Sequence, residues 1–134
     1  MSALTEFLYP APARRSAGAI ILWWEGRRLA YNIWVGTAGL ISLGTFKLVT
    51  VLVGTGSLGR YTWVPVLIFG VMANVCYLLG PAVEVLIQKL WGRQVLPAGP
   101  MLFRMGLTFS VGLALLQALL AVLALVASVV AGVL

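Results

Sequence analysis

Residues 101–134 carry one charge, Arg104, and no proline. A helix through this stretch, at about 1.5 Å per residue, is longer than a bilayer hydrocarbon core of about 30 Å. Two further apolar runs, residues 29–53 and 61–80, are also long enough to cross. In hydrocarbon each backbone N–H and C=O must find its partner within the protein, so runs of this kind are read as helices. Composition agrees, because a chain that is 62% hydrophobic and only 9% charged cannot cover a soluble surface. The expectation is an all-α integral membrane protein with three transmembrane helices, built as a single helical domain over residues 17–134. Residues 1–16, with Pro10, Pro12 and the Arg14-Arg15 pair, read as a flexible basic leader.

The first span should be preceded by an N-terminal interfacial helix. Trp23 and Trp24 beside Arg27 and Arg28 suit the headgroup level, where indole rings and cations on long stems both find favourable surroundings. A plain extension of the span fits the same residues. The Gly-x-Gly-x-x-Gly at residues 54–59 follows a span rather than a buried strand, so it is read as an outer loop and not as a dinucleotide fingerprint.

The reactive inventory is short. There is no histidine, Cys76 is the only thiol, and Glu6, Glu25 and Glu84 are the only acids. Histidine- or cysteine-based metal sites and disulfides are excluded, and two-carboxylate chemistry would need nearly every acid in the chain. No catalytic residue, cofactor or metal is expected, and the chain is read as non-enzymatic. Cys76 is expected to be an ordinary buried cysteine. The formal charge of +6 flanks apolar spans, which is the positive-inside pattern and not a nucleic-acid surface.

Within residues 71–91 the exceptions to apolarity are ordered. Asn74, Tyr77, Pro81, Glu84 and Gln88 recur at intervals of three and four, which places them on one helix face. That face must turn to protein or water, because an unpaired polar group in lipid costs several kcal/mol. Near the start of the first span, Glu25, Arg27, Arg28, Tyr31 and Asn32 form a second polar group at the same membrane face. The short outer loop makes the two spans antiparallel neighbours. Contacts are therefore expected between Arg27 or Arg28 and Glu84, and between Tyr31 or Asn32 and Asn74 or Tyr77. The plainest role for this polar cluster is to clamp two helices together. Gly80-Pro81 should kink or break the second helix at the inner surface, with residues 82–91 tilted or lying on the membrane. Lys47, near the far end of the first span, should extend toward the outer interface.

In the third span Gly106, Ser110, Ala114, Ala118 and Ala121 form a ridge of small residues, which predicts a partner helix lying close against it. Gln117 is the strongly polar side chain near the middle of that span. For orientation, Arg14, Arg15, Arg27, Arg28, Lys89, Arg93 and Arg104 lie on one side and Arg60 on the other. Seven against one puts the N-terminus in the cytoplasm and the C-terminus in the periplasm or outside.

The segments 24–32 (Trp-Glu-Gly-Arg-Arg-Leu-Ala-Tyr-Asn) and 73–81 (Ala-Asn-Val-Cys-Tyr-Leu-Leu-Gly-Pro), with Glu84, resemble an uncharacterised family of small bacterial multi-pass inner-membrane proteins. The resemblance covers about residues 23–112. It implies a bacterial inner-membrane location and brings no activity with it. Two functions are consistent with these features. One is an accessory or scaffold subunit packing against a larger inner-membrane complex, with lipids and other membrane subunits as partners. The other is a homo-oligomeric small channel or transporter with a polar path at Asn74, Tyr77 and Glu84, which needs self-assembly because three helices cannot enclose a pore.

Overall fold

The computed structural model describes residues 16–54, 63–92 and 98–132. Every element in it is a helix: α1 (Ala17–Leu52), α2 (Trp63–Trp91) and α3 (Gly99–Val130). All three are long and apolar enough to cross a membrane. Residues 1–15 of the leader, most of the 54–59 loop, and Arg60 and Arg93 lie outside the described residues.

Local signals set the helix ends. Ser16 has extended backbone and its Oγ accepts the Ala19 N–H at 3.2 Å, satisfying one of the orphan donors of the first turn. Gly54 and Gly92, directly beyond the ends of α1 and α2, take φ values of +72° and +86°. That left-handed backbone stops a helix and is cheap only for glycine. Pro100 falls in the first turn of α3, where its missing N–H costs no intrahelical bond.

The packing is organised on α1. Its buried positions Ile20, Trp24, Arg27, Tyr31, Val35, Ala38, Ser42 and Val49 follow a three-and-four rhythm along one seam. α3 meets that seam with Phe103, Ser110, Ala114 and Ala121, and α1 packs far more extensively on α3 than on α2. Trp24 lies against Phe103 and Tyr31 against Ser110, so these two helices run parallel. Trp24 meets Glu84, Tyr31 meets Ala73 and Lys47 meets Trp63, so α2 runs antiparallel to α1. α2 and α3 touch each other least.

Outside the seams the surface is apolar. Leu22 is 74% exposed and Leu29, Leu40, Trp34, Leu67 and Phe109 are all more than half exposed. Water would penalise such a surface heavily, whereas lipid tails match it.

Four expectations are altered. Residues 17–32 form no separate element, because α1 runs unbroken from Ala17 to Leu52 and so takes the form of an extended span. α2 is not broken at Gly80-Pro81 and continues as one helix to Trp91. Pro81 forfeits the hydrogen bond to the Tyr77 carbonyl and its ring crowds that carbonyl, together a cost of about 3 kcal/mol in a helix interior. Unwinding in lipid would release several more backbone groups, and Glu84 anchors the turn beyond the proline. Cys76 is exposed, since Ala73 and Tyr77 occupy the inward positions of its turn. Finally, the small-residue ridge of α3 is largely occupied within the chain. Ser110, Ala114 and Ala121 are buried and Ala118 is half-buried along the α1 side, while Gly106 is exposed.

Candidate functional site

The polar face of α2 turns inward. Tyr77 and Glu84 are buried, and Asn74, Pro81 and Gln88 are half-buried, while the intervening Val75, Leu78, Leu79, Val83 and Leu86 point outward. At this level of the bundle the three helices are joined by a polar and aromatic knot centred on Trp24.

Trp24 is 3% exposed. Its indole N–H donates to Glu84 Oε2 at 2.7 Å, and its backbone carbonyl accepts the Tyr77 hydroxyl. The ring meets Trp23, Tyr77 and Phe103 edge to face at centroid distances of 5.5, 5.4 and 6.1 Å, the geometry that places a positive ring edge on a negative face. Such contact requires a close approach by α2. A Cβ built on Gly80 would overlap the Trp24 ring, so glycine at that position admits the indole.

Glu84 is 2% exposed, which makes it one of the most deeply buried side chains of the chain. Its carboxylate lies against the first residue of α3, where a Cβ on Gly99 would come within 2.5 Å of Oε2. A helix N-terminus carries partial positive charge from its unsatisfied N–H groups, so this is a favourable place for an anion in low dielectric. Glu84 thus links α1, through Trp24, to the start of α3.

Two turns further along α1 the contacts continue. The Tyr31 hydroxyl donates to the Ala73 carbonyl at 3.1 Å and, its one proton so used, accepts from the Ser110 hydroxyl at 2.8 Å, touching α2 and α3 at once. Its ring lies 4.7 Å from that of Tyr77. Asn74 Nδ2 donates to Asn32 Oδ1 and to the Gly70 carbonyl, both at 3.0 Å. The structure therefore brings together Tyr31 with Tyr77 and Asn32 with Asn74.

The arginines lie beside the same knot. Arg28 pairs with Glu25 one turn back at 2.7 Å, both being substantially exposed, and its guanidinium lies 5.6 Å from the Tyr77 ring centroid. Arg27 stacks 3.6 Å above the Trp23 ring and donates to the Trp23 carbonyl at 3.1 Å. A bond from α1 to Glu84 is made by Trp24, whose burial between the helices the sequence reading did not foresee. Its position four residues after Ile20 and seven before Tyr31 marks it as part of the buried seam. Lys47, at the other end of α1, lies 5.6 Å over the Trp63 ring.

Chemically, this knot holds helices together. Each hydroxyl and amide in it has a protein partner, and among the described residues no three of His, Cys, Asp and Glu approach closely enough to hold a metal. No protein-family model, no curated protein and no solved structure matches this chain.

Proposed function

We propose that the chain is a non-catalytic integral membrane protein that serves as an accessory or scaffold subunit, packing against a larger complex in a bacterial inner membrane. The observation that carries this reading is the use made of its polar groups. Tyr31, Asn32, Asn74, Tyr77 and Glu84 are engaged in contacts between the chain's own helices, and the outward faces are apolar. A rigid knot beneath an apolar exterior suits a body that presents surface to lipid and to neighbouring helices. The small-residue ridge on α3 lends this reading less support than the sequence suggested, because α1 already occupies most of it. The alternative channel path at Asn74, Tyr77 and Glu84 would have to open through side chains that are bonded across helix seams.

In this reading Arg27 and Arg28 lie on the cytoplasmic side of the membrane, the first turns of α1 lie at the inner interface, and α3 ends on the outer side. Residues 17–52 span about 54 Å as a helix, which leaves length for both a crossing and an interfacial segment.

The test is the native mass of the protein extracted from its own membrane in polymer nanodiscs, with each co-purifying chain identified. A stoichiometric larger partner is expected. A lone homo-oligomer would overturn the accessory role, and ion flux lost in Glu84→Gln vesicles would then establish the channel.

A further inference from the structure

We propose that a crevice between the three helices, at the level of Ser42, binds a membrane-soluble molecule bearing a carbonyl on an apolar ring, the chemistry of a quinone headgroup. The crevice has a volume of about 340 Å³. That lies at the lower end of the range of small-molecule sites. Leu43 and Phe46 of α1, Val66 and Phe69 of α2, and Leu113 and Gln117 of α3 form most of its wall.

Ser42 is the side chain that asks for a ligand. It is 3% exposed, lines the crevice, and its Oγ has no hydrogen-bond partner among the described residues. Other helical hydroxyls in the chain satisfy themselves on their own backbone: Thr45 on the Ile41 carbonyl at 2.9 Å, Thr50 on Lys47 at 2.8 Å and Ser128 on Ala124 at 2.9 Å. Ser42, more buried than any of these, leaves that bond unmade. An unsatisfied hydroxyl in an apolar medium costs at least about 1 kcal/mol. Gln117 borders the same crevice and is exposed on a stretch, residues 111–127, that is otherwise apolar, where its amide would face lipid.

The lining selects the ligand by exclusion. No charged side chain borders the crevice, so an anion or cation has nothing to pair with. A saturated acyl chain would fill the volume but leave Ser42 and Gln117 unmatched. A carbonyl oxygen, with two lone pairs, matches both a hydroxyl and an amide N–H donor, the types that Ser42 and Gln117 supply. The Ser42 Oγ is covered in this structure and reaches a ligand by rotation about χ1. Phe46 and Phe69 offer edges and faces to a flat ring.

The experiment uses the full chain in lipid nanodiscs, with decyl-benzoquinone as probe and decylbenzene as the carbonyl-free control. A photoreactive azido-benzoquinone maps the site. Saturable binding is expected, with adducts on residues 39–46 or 65–69 and binding of the control at least tenfold weaker. Ser42→Ala should weaken probe binding about fivefold to tenfold, the loss of one hydrogen bond. Gly39→Leu provides a second variant, because a Cβ at Gly39 meets nothing within 4 Å and the side chain can grow into the crevice. It should abolish binding with the thermal unfolding midpoint unchanged. Equal binding of the control would make the crevice an acyl-chain groove and overturn the proposal. Non-saturable binding, or a Ser42→Ala protein that binds as tightly as the wild type, would overturn it as well.

Discussion

The two ends of this bundle use the same three helices in opposite ways. Around Trp24 the helices approach until a glycine on α2 and another on α3 are required, and the Trp24 indole, the Tyr31 and Tyr77 hydroxyls and the Asn74 amide are bonded across a seam. Around Ser42 they part, leaving a crevice, a buried hydroxyl without a partner and a glutamine on the surface. In a membrane the helices gain nothing from leaving water, since lipid is as apolar as leucine, so close packing and hydrogen bonds must supply the cohesion. The difference teaches that cohesion here is local. It is concentrated at the Trp24 end, and the Ser42 end is the part that can yield to something else.

The most severe way to break this division is Trp24→Ala. The substitution removes the bond to Glu84, three ring contacts and the largest volume in the knot. Large-to-small changes at buried aromatics cost about 3–5 kcal/mol in water-soluble cores. In lipid the transfer contribution falls away, and about 3 kcal/mol is expected, read as a shift in reversible detergent unfolding. A change below about 1 kcal/mol would mean that the knot does not hold the bundle. Next is Gly80→Ala, which adds a single carbon where the Trp24 ring already stands. The ring is enclosed by Tyr77 and Phe103, so relief requires α2 to back away, at about 1–3 kcal/mol.

Smaller still is Tyr31→Phe. It keeps the ring against Tyr77 and deletes only the hydroxyl shared by Ala73 and Ser110. Hydrogen bonds between membrane helices contribute about 0.6 kcal/mol on average and up to about 1.7. A loss in the upper part of that range is expected, because one hydroxyl serves two helices. Combining it with Ser110→Ala should add almost nothing, and full additivity of the two would deny the coupling.

How much of this could be read beforehand depends on the kind of physics involved. The three helices were legible because length and apolarity leave the backbone no other solution in lipid. The inward face of α2 was legible from the spacing of Asn74, Tyr77, Pro81, Glu84 and Gln88, and with it the meeting of Asn32 with Asn74. The burial of Trp24 between the helices was not legible, because a tryptophan next to arginines is chemically suited to headgroups and nothing local reveals that Gly80 stands opposite to receive it. Of the kink or break expected at Pro81, the break was overread. The proline penalty is a local quantity, whereas in lipid the rest of the helix gains nothing by unwinding, and Glu84 beyond the proline is bonded to another helix. The exposed Cys76 follows from its neighbours, since a helix face has room for Ala73 and Tyr77 inside and turns the residue between them outward. The crevice at Ser42 left no mark on the sequence at all, because it reflects how far apart the helices stand.

The sharpest form of the comparison is the smallest change. Gly39→Ala and Gly80→Ala are the same substitution on two helices of one bundle, and they should differ in sign. At Gly80 the added carbon collides with a buried ring, while at Gly39 it meets nothing within 4 Å. With no contact to oppose it, the alanine acts through the backbone alone. Glycine in a helix interior is less favourable than alanine by about 0.5–1 kcal/mol in water. In a membrane the unfolded reference is itself helical, so only a few tenths of that gain should remain in the measured unfolding free energy. Gly39→Ala should therefore be neutral or slightly stabilising in the same detergent titration in which Gly80→Ala loses 1 kcal/mol or more. A loss at Gly39 comparable to that at Gly80 would mean that the helices close on each other at Ser42 as tightly as they do at Trp24, and the division of the bundle into a cohesive end and a yielding end would have to be given up.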